Sequence, residues 1–146
     1  MERNVLIRAA RSSDLPALTD IYNHYVVSSV VTFDLVTKSV EERREWFDQF
    51  GDRGPHRLYI AEREGEIVGY ACSSRFRPKP AYDQSVETSV YLAPGVEGAG
   101  IGTALYETLF ATLAKEPVHR AYGIVALPND ASRNIHLRFG LSLIHI

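Results

Sequence analysis

The sequence predicts one α/β (α+β) domain, and three observations carry that expectation. Its periodicities follow the order β-α-α-β-β-β-α-β-α, with mixed strands first and a late β-α-β-α unit. Its 146 residues are 45% hydrophobic and 23% charged, enough for one core and typical of a globular chain. A glycine-rich corner, "VEGAGIG" (96–102), joins a strand to a helix, as α/β ligand sites do.

"NVLIRAA" (4–10) reads as a short strand. "SSD" (12–14) offers N-cap side chains and Pro16 falls in the first turn of the helix that follows. Leu15, Leu18, Ile21, Tyr22 and Tyr25 recur at helical spacing to about Val27. "SSVVTFD" (28–34) is a turn and a short extended piece. Ser39 and Glu42 form an S-x-x-E capping box, and the helix they open carries Trp46, Phe47 and Phe50 and stops at Gly51. "RLYIAER" (57–63) and "EIVGYACSS" (66–74) flank Glu64-Gly65, a hairpin signal weaker than Asn-Gly. "RFRPKPAYD" (75–83) is a proline-stiffened loop. "SVETSVYLA" (85–93) is a strand that Pro94 ends, and a helix runs from about 100 to 115. "HRAYGIVAL" (119–127) is a further strand. "PNDASRNIHLRFG" (128–140) reads as a helix with Pro at its start and Gly at its end.

The formal net charge of −2, with its cations scattered, argues against nucleic acid as a partner. The start of the chain lacks a signal-peptide pattern and no apolar run reaches the roughly 18–20 residues of a membrane span. Cys72 is the only cysteine, which rules out an internal disulfide and fits a reducing, cytoplasmic setting. The five histidines show no metal-ligand spacing, so no metal is expected.

The glycine corner has the makings of an anion site. The first N–H groups of a helix lack intrahelical acceptors, the macrodipole adds partial positive charge, and glycines admit a phosphate to the backbone. No Lys follows the glycines, as a P-loop requires. The next strand ends in "VALPN" without the carboxylate that a dinucleotide fingerprint needs. The pyrophosphate of coenzyme A is the third ligand class using this device. On the glycines alone, a tight turn serving only close packing explains the motif equally well.

Other segments decide between them. The chain resembles the GNAT superfamily of N-acetyltransferases, whose acetyl-CoA motif Q/R-x-x-G-x-G/A is represented here by Glu97-Gly98-Ala99-Gly100-Ile101-Gly102. More narrowly it resembles the phosphinothricin N-acetyltransferase group, through "IYNHYVVSSVVTFD" (21–34), "FRPKPAYDQSVETSVYL" (76–92), "GIGTALYETL" (100–109) and "ALPNDASRNIHLRFG" (126–140). The resemblance implies a mixed, mostly antiparallel central sheet flanked by helices, acetyl-CoA as co-substrate, a small amine as acceptor, and a homodimer. Two departures stand out. Glu97 and Ala99 replace residues that are usually basic or amide. After Gly140 the family continues with about one more strand pair, for which "LSLIHI" is short. The domain, 1–146, is therefore expected to be C-terminally shortened, with the last strands missing or altered and the edge of strand 119–127 open.

The resemblance also assigns roles. Glu87 is the expected base for the acceptor amine; alternation puts it on one strand face with Ser89 and Tyr91, opposite Thr88, Val90 and Leu92. Backbone N–H groups around Val90, Tyr91 and Leu92 are the expected oxyanion donors. Glu97, Gly98, Ala99, Gly100, Ile101, Gly102 and Thr103 form the expected pyrophosphate corner. Asn129, Ser132 and His136 share one predicted helix face, with Asn129 and Ser132 toward coenzyme A and His136 as proton donor to the departing thiolate. Phe33 and the loop residues Arg77, Lys79 and Tyr82 are the expected acceptor contacts, the two cations suiting a carboxylate or phosphinate. Cys72, inside a strand without a partner base, does not suit a covalent acyl-enzyme. Direct attack of the amine on the thioester is the expected chemistry. The alternative, motivated by Glu97 and Ala99, is a non-catalytic acyl-CoA-binding or interaction module of the same fold.

Overall fold

The computed structural model describes residues 5–28, 37–75, 85–96, 100–116, 120–125 and 142–145. Six strands form one sheet in sequence order: β1 (Val5–Ala9), β2 (Leu58–Arg63), β3 (Glu66–Arg75), β4 (Ser85–Leu92), β5 (Arg120–Val125) and β6 (Ser142–His145). β1 to β4 pair antiparallel, whereas β4–β5 and β5–β6 are parallel. The sequence leads one to expect an open edge on β5. It instead carries β6, from Tyr122↔Ser142 to Val125↔His145. The apolar run Leu143-Ile144 supplies a strand too short to be read from sequence periodicity.

Helices cover both faces. α3 (Ile101–Leu113) buries Ile101, Leu105, Tyr106, Leu109 and Leu113, one stripe at helical spacing, against Ala61, Ala71 and Val86. α1 (Leu15–Ser28) and α2 (Val40–Phe47) cover the other face, where Leu18 and Ile21 meet Leu58, Ile60, Tyr70 and Cys72. This two-sided cover explains why β2 and β3 read as nearly continuous apolar runs.

Local chemistry sets the boundaries. Ser39 Oγ accepts from the Glu42 N–H at 3.1 Å and the Glu42 carboxylate accepts from the Ser39 N–H at 2.8 Å, so the capping box forms as expected. α2 ends at Phe47 rather than near Gly51. The N–H groups of Gln49 and Phe50 turn back to the carbonyls of Trp46 and Phe47, which tightens the final turn. Glu64 and Gly65 both have positive φ, 52° and 82°, as a type I′ hairpin turn demands. Gly69 is required by close approach: a Cβ there would sit 2.8 Å from Leu92 Cδ2 and 3.0 Å from the Tyr91 carbonyl oxygen.

Residues 12–14, expected to supply N-cap side chains, form a 3₁₀ turn directly ahead of α1. Asp14 is buried there. Its carboxylate accepts from the Arg11 N–H at 2.7 Å and from both terminal nitrogens of Arg8 at 2.8 and 3.0 Å. Glu62 holds the same guanidinium at 3.0 Å, tying β1, β2 and the turn together. Burial alone would raise the Asp14 pKa, but the bonds from Arg8 and Arg11 outweigh it and the pKa lies below the ordinary value. A depressed carboxylate stabilises the fold above its unfolded pKa and loses that contribution as pH falls through the folded pKa. Asp14→Asn is therefore expected to cost about 1–3 kcal/mol at pH 7. Chemical denaturation across pH 7 to 3 should show the gap to wild type closing at the acid end.

Candidate active site

The site is built on β4. Val86 and Thr88 are buried and, with Val90 and Leu92, face α3; Tyr91 faces α1 and α2. The strand alternation expected from sequence therefore holds, and it puts Glu87 and Ser89 on the α1/α2 face with Tyr91. Glu87 is half-buried and stands opposite Ser74, near the start of the strand.

β4 and β5 part company. Among the described residues their pairing runs from Ser85↔Arg120 to Thr88↔Gly123, although β4 continues to Leu92 and β5 to Val125. The direction of the β4 backbone groups follows from one bond. The Ala93 N–H donates to the Val68 carbonyl of β3 at 2.8 Å, so alternation turns the N–H groups of Val90 and Leu92 away from β3, toward the parted side. Backbone donors thus line one wall of a wedge, two and four residues beyond the last β4–β5 pair. From the other face, Tyr106 of α3 donates to Thr88 Oγ1 at 3.4 Å and braces the strand where the wedge begins.

The chain then leads to the N-terminus of α3. Gly100 caps that helix at φ 78°, ψ 6°, a left-handed conformation natural to glycine. The Ala104 N–H bonds to the Gly100 carbonyl, which leaves the N–H groups of Ile101, Gly102 and Thr103 without acceptors inside the helix. The first turn holds no acidic residue. Positive φ, donors without intrahelical acceptors and the helix dipole fit an anionic group such as a pyrophosphate.

Glu87, Val90, Tyr91, Leu92, Gly100, Ile101, Gly102 and Thr103 are thus placed along β4 and the start of α3. Phe33, Arg77, Lys79, Tyr82, Glu97, Gly98, Ala99, Asn129, Ser132 and His136 lie outside the described residues, as does the helix expected over 128–140. Cys72 lies in β3, and burial pushes its thiol pKa up to about 12, so it is not a thiolate near neutrality.

Sequence reasoning overlooks one group. Arg43 of α2 is buried at 7% exposure. Its guanidinium lies 3.6 Å from the Trp46 ring centre and 4.0 Å from that of Tyr22, and it donates to the Tyr70 hydroxyl at 3.3 Å. Its Nε is buried without a hydrogen-bond partner. Among the described residues, ion pairs join Arg8 to Asp14 and Glu62 and Arg57 to Glu116, and no carboxylate pairs with Arg43. The two rings each return about 0.5–2 kcal/mol, against a larger cost for an unneutralised buried charge. The signal was present in "RREWFDQF": Arg43, Trp46, Phe47 and Phe50 occupy i, i+3, i+4 and i+7, so Arg43 falls on the apolar stripe.

The chain matches the acetyltransferase (GNAT) family over residues 18–141. A Streptomyces coelicolor protein named phosphinothricin N-acetyltransferase is 51% identical over 138 residues, 93% of this chain and 81% of that protein. A Pseudomonas aeruginosa L-methionine sulfoximine/L-methionine sulfone acetyltransferase is 29% identical over 137 residues, 94% and 80% of the two chains. The crystal structure of a Sinorhizobium meliloti phosphinothricin acetyltransferase in complex with acetyl-CoA matches with a TM-score of 0.88 at 29% identity, covering 94% and 75%. The parted strands, the left-handed glycine and these relatives agree, and the chain belongs to the acetyltransferase (GNAT) family.

Proposed function

We propose that the protein is an acetyl-CoA-dependent N-acetyltransferase acting on the amine of a small amino acid or analogue of the phosphinothricin, methionine sulfoximine or methionine sulfone type. The observation that carries this reading is the β4–β5 wedge, with the backbone N–H groups of Val90 and Leu92 turned into it and Glu87 on the same strand. The group to be held there supplies an activated acyl carbonyl as a thioester.

Glu87 accepts a proton from the acceptor ammonium, directly or through water, and frees the nitrogen lone pair. The nitrogen bonds to the carbonyl carbon as the π-electrons move to oxygen, and the N–H groups of Val90 and Leu92 donate to that oxygen. Collapse restores the carbonyl and breaks the carbon–sulfur bond; the nitrogen gives its second proton to water, and His136 gives the departing thiolate a proton that it regains from water. Direct attack is supported by Cys72, the only thiol of the chain, which is buried and whose raised pKa keeps it from acting as a thiolate. Arg77, Lys79, Tyr82 and Phe33 contact the acceptor. Residues 97–103 form the pyrophosphate corner, its backbone N–H groups holding the phosphates, while Asn129 and Ser132 contact coenzyme A. The reading includes a homodimer in a reducing, cytoplasmic compartment; among the described residues no helix is long and apolar enough to cross a membrane.

The test is thiol release from acetyl-CoA with L-phosphinothricin, L-methionine sulfone and L-methionine sulfoximine, against a blank without amine. Amine-dependent release, with the N-acetyl product identified by mass, is expected. Saturable acetyl-CoA binding without release from any amine would favour the non-catalytic module, the reading that Glu97 and Ala99 motivate.

A further inference from the structure

The α1/α2 face of β3 and β4 is laid out in rows: Tyr70 opposite Tyr91, then Cys72 opposite Ser89, then Ser74 opposite Glu87. Successive rows are about 6.8 Å apart. At the first row the Arg43 guanidinium lies against the rings of Tyr22 and Trp46 and donates to the hydroxyl of Tyr70, whose ring lies 5.3 Å from that of Tyr91. At the third row stands Glu87. A fixed positive charge and a negative charge therefore flank the middle row. The Cys72 thiol there feels both: burial raises its pKa most, Arg43 draws it down, and Glu87 adds to the rise.

We propose that Arg43 is a specificity-determining residue that holds the α-carboxylate of the acceptor, so that an α-amino acid binds with its carboxylate toward α2 and its amine toward Glu87. This deepens the function proposed above and rests on Glu87 receiving the amine. Three features of Arg43 support it. Its charge has no carboxylate partner among the described residues, its Nε is a buried donor without an acceptor, and two aromatic rings within 4.0 Å of its guanidinium carbon fix the group in place. Stacked arginine is also the side chain best suited to a carboxylate, because its planar fork arrives already oriented. A zwitterion is complementary in sign to both the charge at the first row and the charge at the third, whereas an alkylammonium without a carboxylate answers only Glu87.

Trp46 is the only tryptophan and lies against the Arg43 guanidinium, so its fluorescence reports on this site. L-methionine sulfone and its α-carboxamide, which differ in charge only at the carboxyl group, would be titrated at pH 6 into the full chain. Binding would be followed by Trp46 fluorescence and, in parallel, by calorimetry. The wild type is expected to prefer the carboxylate by roughly tenfold, and Arg43→Met to reduce that preference to about twofold or less. Arg43→Lys keeps the charge without the fork and should retain a preference with weaker binding. An Arg43→Met protein with wild-type circular dichroism that keeps the preference overturns the assignment. So does a wild type that binds both ligands alike or neither. If Arg43→Met does not fold, an Arg43→Lys protein that binds the carboxylate as tightly as wild type is the overturning result. Thiol release is read separately: turnover with an Arg43-independent preference removes Arg43 and keeps the enzyme, and an Arg43-dependent preference without turnover removes acetyl transfer and keeps the carboxylate site.

Discussion

Glu87→Gln is expected to lower kcat by roughly 10²–10⁴-fold, the usual contribution of a positioned general base. An α-amine has a pKa of roughly 7.7–8.0, so at neutral pH much of the acceptor arrives protonated and unable to attack. Glutamine keeps the size of the side chain and its place on the α1/α2 face of β4, but it cannot take the proton. Acetyl-CoA affinity should stay within about twofold of wild type, because the wedge donors are backbone groups on neighbouring residues. Raising the pH should restore part of the lost rate, since more acceptor is then already neutral. Steady-state kinetics from pH 6.5 to 9.5 would check this. An unchanged kcat would remove Glu87 from the chemistry; equal losses at every pH would make it a binding residue.

Gly100→Val is expected to strike the donor site and the fold together. Gly100 sits at φ 78°, where a side-chain-bearing residue costs about 1–2 kcal/mol and a β-branched one lies at the upper end. Among the described residues, its chain neighbours aside, no heavy atom stands within 4 Å of where its Cβ would be, so the cost there is backbone strain. A phosphate on the N–H groups of Ile101 and Gly102 would meet the new side chain, and acetyl-CoA affinity should fall by about tenfold or more. Denaturant unfolding and calorimetry separate the two effects. A variant that loses stability and binds acetyl-CoA normally would make the glycine a turn residue only.

Much of the architecture was legible because it rests on local chemistry. The S-x-x-E box at Ser39 and Glu42, the Glu64-Gly65 turn and the stripe Ile101, Leu105, Leu109 and Leu113 are all set by residues a few positions apart. The alternation of Glu87 against Thr88 was equally readable, because a strand has only two faces. The features that make a site were harder to see. The stop in β4–β5 pairing at Thr88 depends on two strands joined through α3, and nothing in "SVETSVYL" marks it. β6 is four residues long and shows no period of its own. Arg43 was passed over because a cation in "EERRE" reads as solvated surface; only its coincidence with the Trp46 and Phe47 stripe gives its burial away.

The account's central claim is that an acetyl donor lies with its pyrophosphate on the N-terminus of α3 and its thioester in the wedge beside Val90 and Leu92. Calorimetric titration of acetyl-CoA into the wild type and into Glu97→Arg tests it most directly. The account predicts saturable binding at one site, tightened in the variant because an arginine replaces a carboxylate in the phosphate-binding motif. No binding heat from either protein, with both folded, would contradict it.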